Sequence, residues 1–139
     1  MNSVITAKVE DIEAIVKLDC EIIGNMSRRK QIEKIVGEGN CLIIKEEEVI
    51  RAFLLFDKSF FECSFISLII VSKLARRKGY ATALINYFES IAPTKKIFSS
   101  TNQSNINMQK VFESQGFVRS GFVENLDYGD PEIIYFKSI

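Results

Sequence analysis

The sequence predicts a mixed α/β domain of order β-α-α-β-β-β-α-β-α-β-β, and three observations lead to that expectation. Apolar residues change period along the chain, from strand-like alternation to helical spacing and back. A near-continuous apolar stretch, Cys63–Val71, runs into an amphipathic one, Tyr80–Ile91, the pattern of a buried strand and its covering helix. The 139 residues contain no repeat, low-complexity tract or Gly/Ser/Pro-rich linker, so one core and one domain over 1–139 are expected.

Ser3–Ala7 reads as a short strand. From Val9, the positions Val9, Ile12, Ile15, Val16 and Ile22 recur at helical spacing, and Glu10 and Asp11 lie in the first turn, where the helix dipole favours acids. A shorter helix fits Arg28–Val36, with Ile32, Ile35 and Val36 on one side and Gly37 as its stop. Cys41–Lys45 and Val49–Phe56 flank Glu46-Glu47-Glu48, a hairpin around a solvated charged turn. Cys63–Val71, "CSFISLIIV", has the composition of a central strand covered on both faces. Tyr80–Ile91 sets Ala81, Leu84, Ile85, Phe88 and Ile91 on one stripe, and Pro93 follows where the helix must stop. Ile97–Thr101 is a strand, and Asn105–Gln115 carries Met108, Val111 and Phe112 on a helical face before Gly116. Phe117–Val123 and Ile133–Lys137 close the chain around the polar turn "ENLDYGDP".

Composition removes several classes of function. Basic and acidic residues balance at 18 each, which argues against nucleic-acid binding and makes any anion site a local matter. No apolar run is long enough to cross a bilayer, and "MNSVITAKVED" lacks the features of a signal peptide, so the expected location is cytoplasmic with no membrane partner. Cys20, Cys41 and Cys63 are widely spaced, which suggests neither a disulfide framework nor a zinc site. With no histidine, Ser-His-Asp and Cys-His mechanisms and HExxH metal motifs are ruled out, and no metal is expected.

The junction at 71–82 is where ligands bind in such sheets, at a strand's carboxyl end before a helix. The glycines form neither GxGxxG nor GxxxxGK[ST]. Instead the chain has Arg76-x-x-Gly79-x-Ala81 opening a helix, with Lys73, Arg77 and Lys78 close by. A helix N-terminus offers unpaired N–H donors and about half a positive charge, which suits a diphosphate. Gly79 permits close backbone approach. Cations at that end oppose the dipole, so structure alone gives no reason for them; a solvated basic turn is the alternative.

"LIIVSKLARRKGYATALINYFESI" resembles motif A of the GNAT superfamily of N-acetyltransferases, with Val71, Arg76, Gly79 and Ala81 on its key positions. "NINMQKVFESQGF" is similar to motif B through Asn105, Phe112, Gly116 and Phe117. The resemblance implies a mostly antiparallel central sheet with one splayed pair of strands and helices on both faces. It also implies direct transfer of an acetyl group from acetyl-CoA to a primary amine of a small molecule or peptide, with a homodimer left open. Backbone from Arg77 through Lys78, Gly79, Tyr80 and Ala81 to Thr82 would then hold the pyrophosphate, with Arg76 beside it. Ile69, Ile70 and Val71 would pair with the pantetheine arm. Asn102 and Asn105 would meet the arm from the other side, and Phe112 would pack near the sulfur.

Many members of the family carry at the place of Phe112 a Tyr that protonates the departing thiolate, and this chain has no hydroxyl there. Tyr128 is the substitute considered, against its reading as an ordinary turn aromatic. The strand carboxylate some members use as a base is also missing from Cys63–Ser67; Glu62 precedes it, and Ser64 or Ser67 could orient a water. Glu124, Asp127, Asp130 and Glu132 form an acidic group that could attract a cationic amine. These departures motivate an alternative, an acyl-CoA-binding sensor or interaction module without turnover.

Overall fold

The computed structural model describes residues 3–139. Its elements are β1 (Val4–Thr6), a 3-10 turn (Val9–Asp11), α1 (Ile12–Ile23), α2 (Arg29–Gly37), β2 (Cys41–Glu46), β3 (Val49–Phe60) and β4 (Cys63–Val71). A second 3-10 turn (Lys73–Ala75), α3 (Tyr80–Ile91), β5 (Lys96–Asn102), α4 (Ile106–Ser114), β6 (Val118–Val123) and β7 (Glu132–Ser138) follow. The seven strands have the order β1-β2-β3-β4-β5-β7-β6, and β4 with β5 is a parallel pair among antiparallel ones. This is the mixed, mostly antiparallel fold the sequence predicts, and the boundaries of β4 and α3 coincide with those expected.

Local chemistry accounts for the places where the chain differs. The segment from Val9 opens as a tight turn because Asp11 accepts from the Lys8 N–H at 2.8 Å, and α1 proper begins at Ile12. Gly37 is the last residue of α2, not the stop beyond it. The left-handed position falls to Gly39 (φ 78°), whose N–H and that of Asn40 close onto Val36 and Ile35. β4 is not covered on both faces: Ser64, Ile66 and Ile70 are buried, and its other residues are half-buried. The segments covered on both faces are Cys41–Ile44 of β2 and Ala52–Leu55 of β3, which have no exposed surface.

The described chain forms two compact units, one up to Asp57 together with Leu68–Ile91, the other Lys58–Ser67 with Ala92–Ile139. In the first, Ile15 and Val16 of α1 and Ile32, Ile35 and Val36 of α2 join Cys41, Ile43, Phe53 and Leu55 in one cluster. Alternation sends Leu42, Ile44, Leu54 and Phe56 to the opposite face, where Phe56 meets Phe88 of α3 at 4.6 Å between centroids. Helices therefore cover both faces of this unit. In the second, Phe112 of α4 stacks on Tyr135 of β7 at 5.1 Å and packs on Phe117 at 5.3 Å. There Ser64 pairs with Thr94, giving Ser64 N–H to Thr94 Oγ1 at 2.9 Å and Thr94 N–H to Ser64 Oγ at 3.1 Å. No helix among the described residues is long and apolar enough to cross a membrane.

Candidate functional site

Between β4 and α3 the chain is fixed at its start and open at its end. Ser72 is buried; its N–H donates to Arg51 O at 2.7 Å, and its hydroxyl accepts from Leu74 N–H at 3.2 Å. Ala75 has no exposed surface, and its N–H donates to Ser72 O at 2.9 Å. Beyond this anchor Arg76 is extended, whereas Arg77 (φ 66°) and Gly79 (φ 77°) are left-handed. For Arg77 that conformation costs about 1–2 kcal/mol, and such strained residues concentrate where ligands are held.

Gly79 occupies the N-cap position of α3, because its carbonyl accepts the helix's first bond, from Ala83 N–H at 2.9 Å. Glycine brings no side-chain oxygen to the N–H groups of Ala81 and Thr82, which precede that bond. A Cβ at Gly79 would meet no protein atom within 4 Å, so the space above it is open. The N–H groups of Arg77, Lys78 and Gly79 also have no acceptor among the described residues. Unpaired donors thus gather at the positive end of a 12-residue helix.

The predicted cations divide. Arg76 and Arg77 are exposed and form no ion pair among the described residues. Lys78 is held instead, its Nζ 2.7 Å from Glu46 Oε2. Tyr80 donates its hydroxyl to the same oxygen, and Arg51 Nε lies 3.4 Å from Glu46 Oε1. Hydrogen bonds from Lys78 and then Tyr80 hold the Glu46 carboxyl below the usual carboxylate range, and Glu46 in turn raises Lys78. Both are charged at neutral pH.

On β4, the parallel ladder pairs Ser64, Phe65 and Ile66 with Ile97, Phe98 and Ser99 of β5. At the end of the strand Ile70 is buried, and Ile69 and Val71 are half-buried.

In the second unit several predicted groups have structural work. Asn105 caps α4, its Oδ1 accepting from Met108 N–H at 3.1 Å, so only its amide N–H groups remain for a ligand. Asn102 donates to Asp127 Oδ2 at 2.9 Å. Asp130 accepts from the Ser104 N–H at 2.9 Å and from its hydroxyl at 2.6 Å. Glu132 accepts from the Ser100 hydroxyl at 2.7 Å. Glu124 lines a cavity of about 400 Å³ with Arg119, Phe122 and Ile133, and Glu124, Asp127 and Asp130 line a second of about 490 Å³ with Tyr128. Phe112 is a core residue, 1% exposed between Tyr135 and Phe117. Tyr128 is fully exposed in its loop. Of the two serines considered for a water, Ser64 is bonded to Thr94 and Ser67 is half-buried on β4.

Two residues of evident importance escape sequence reading. Glu46 looks like one of three turn glutamates, and its partners lie 32 and 34 positions away. Gln109 looks like a surface helix residue, yet it is buried and donates to Asn102 O and Gln103 O at 3.3 and 2.6 Å. Only its place on the same helical face as Phe112 hinted at this.

Residues 9–117 match the acetyltransferase (GNAT) family. An acetyltransferase of the GNAT family from Bacillus cereus is 54% identical, covers 99% of this chain and 97% of its own, and superposes with a TM-score of 0.95. The ribosomal-protein-S18-alanine N-acetyltransferase of Escherichia coli shares the fold at 17% identity, over 100% of this chain and 94% of its own, with a TM-score of 0.86. A yncA protein of Salmonella typhimurium, solved with its cofactor acetyl-CoA, shares it at 13% identity, over 99% and 93%, with a TM-score of 0.80. No curated protein matches the sequence.

Proposed function

The chain belongs to the acetyltransferase (GNAT) family, and on that premise we propose that it transfers the acetyl group of acetyl-CoA directly to a primary amine of a small molecule or peptide. The observation that carries the reading is the set of open N–H donors of Arg77, Lys78, Gly79, Ala81 and Thr82, capped by a glycine and flanked by two arginines with no ion pair among the described residues. A diphosphate satisfies those donors, and no side chain of the loop does so.

Acetyl-CoA, when bound, supplies an activated thioester. The residues of this chain supply position and polarity. Backbone N–H groups of Arg77, Lys78, Gly79, Tyr80, Ala81 and Thr82 hold the diphosphate, with Arg76 and Arg77 as added charge. The backbone of Ile69, Ile70 and Val71 would take the pantetheine amides and offer an N–H to the thioester carbonyl, a donor worth about 3 kcal/mol in acyl transfer. With acetyl-CoA held there, the amine's lone pair would attack the carbonyl carbon, the C–S electron pair would leave on the CoA thiolate, and the amine's proton would pass to solvent. A thiol of ordinary pKa near 8.5 leaves without a dedicated acid at modest cost, which fits a buried Phe112. From the second unit we assign Asn102, Asn105 and Phe112 to the cofactor side, and Glu124, with Asp127 and Asp130 bracing its loop, to the acceptor. Tyr128 and Ser67 are the two groups left for proton handling.

Thiol release from acetyl-CoA, followed across a panel of small primary amines and N-terminal peptides, tests the reading. The expected result is amine-dependent release together with micromolar binding of acetyl-CoA. Binding with no turnover on any amine would favour the sensor that Phe112 suggests. Absence of any thermal shift at concentrations far above micromolar would remove the cofactor site altogether.

A further inference from the structure

We propose that Glu46 is a positioning residue for the cofactor loop: it does not touch the ligand but sets the loop's shape by gripping Lys78 and Tyr80. The inference rests on the acetyl-CoA reading above and extends it to a residue outside the motif. Glu46 ends β2, paired with Val49 across a two-residue turn in which Glu47 (φ 50°) and Glu48 (φ 69°) are both left-handed. Such a turn favours Asn-Gly, so two glutamates there are held under strain, which fixes the backbone that carries the Glu46 side chain.

From that position one carboxylate gathers groups from three directions. Lys78 Nζ is at 2.7 Å, the Tyr80 hydroxyl donates to the same oxygen, and Arg51 Nε faces the other oxygen at 3.4 Å. These are the charged and titratable groups that meet it. Arg51 Nε is buried and forms no hydrogen bond with good geometry, so removing Glu46 would leave that cation without a counter-charge. The backbone oxygen of the same Arg51 anchors the Ser72 N–H. The loop is therefore tied to β3 at residue 72 and to β2 at residues 78 and 80, and the open donors at 77 and 79 lie beside the second tie. Lys78 thus acts through Glu46, and the charge offered to an anion comes from Arg76 and Arg77.

The test compares wild type, Glu46→Gln, Lys78→Gln and the double variant, with acetyl-CoA as the titrant. Glu46→Gln keeps the side-chain shape and is expected to fold, with a melting temperature within a few degrees of wild type. It should weaken acetyl-CoA binding about tenfold, the scale of one lost charge-assisted interaction. KM for acetyl-CoA should rise in step while kcat at saturation stays within about twofold, a split that general loss of structure would not give. Lys78→Gln should show a similar loss, and the double variant should be no worse than Glu46→Gln alone, because both remove one coupling. Full additivity would overturn the proposal, since Lys78 would then act on the ligand itself. Wild-type affinity in Glu46→Gln, alongside lost binding in Gly79→Val, would overturn this proposal and leave the cofactor reading standing. Failure of the wild-type protein to bind acetyl-CoA would overturn both.

Discussion

The loop at 76–79 and the loop at 124–131 are both short, charged and glycine-containing, and they treat their polar groups in opposite ways. In the first, backbone donors stay open, two arginines stay unpaired, and Gly79 stands where a capping side chain would close the site. In the second, Asp127 and Asp130 are used by Asn102 and Ser104, and the Gln103 N–H donates to Pro131 O at 2.8 Å. The first leaves its donors open, whereas the second uses two of its acids on neighbouring segments and keeps Glu124 beside a cavity. A cluster of charge in sequence therefore says little about binding until its partners are known.

The sharpest way to break the contrast is Gly79→Val. A β-branched residue at φ 77° costs about 1–2 kcal/mol, and its side chain enters the open space over the donors. Acetyl-CoA binding by calorimetry should fall by more than about a hundredfold, with a melting point lower by only a few degrees. A variant that binds as wild type would show that the donors are not the cradle. Asp130→Ala addresses the other loop. It removes both bonds to Ser104 from a partly exposed site, so stability should fall by about 1 kcal/mol. The KM for the amine should rise severalfold, with acetyl-CoA affinity unchanged. An Asp130→Asn variant that restores KM would mean that bracing matters and the charge does not.

Much of the frame was legible. The apolar composition of Cys63–Val71 and the stripe from Ala81 to Ile91 gave β4 and α3 their boundaries, because period and a following proline are local signals. The left-handed stop of α2 was misplaced by two residues, since Gly37 and Gly39 look alike until the Asn40 N–H is seen closing onto Ile35. The open donors of the loop at 76–79 were legible because they are consecutive backbone groups before a helix. Glu46 was not, because the register that brings it to Lys78 is set by strand pairing, and no sequence period records that. The bonds made by the acids of 124–131 and by Glu132 were hidden for the same reason, since their partners sit on β5 and the segment after it.

Arg77→Gly separates charge from backbone within the first loop. Glycine relieves the left-handed strain but gives back part of that gain through its larger unfolded-state entropy, so a net gain of about 0.5–1 kcal/mol, or a melting point higher by about 2 °C, is expected. Acetyl-CoA affinity should still drop about threefold to tenfold, and the drop should shrink as salt is raised. If affinity is unchanged at low salt, the exposed arginine does not reach the phosphates, and the backbone alone carries recognition.

The smallest effect belongs to the second loop. Tyr128 is fully exposed, with no partner to orient its hydroxyl, and a general acid needs to lie within hydrogen-bond reach of the atom it protonates. Tyr128→Phe removes that hydroxyl and nothing else. If thiolate departure proceeds without a dedicated acid, kcat should stay within about twofold, with the pH profile unmoved. A loss on the scale of 10², with the alkaline limb of the profile displaced, would mean the loop changes its place when the amine binds and delivers the proton that Phe112 cannot. The contrast between the two loops would then narrow, since the self-bonded one would carry chemistry too. A null result leaves proton transfer to water and to Ser67, and Ser67→Ala under the same assay decides between those two.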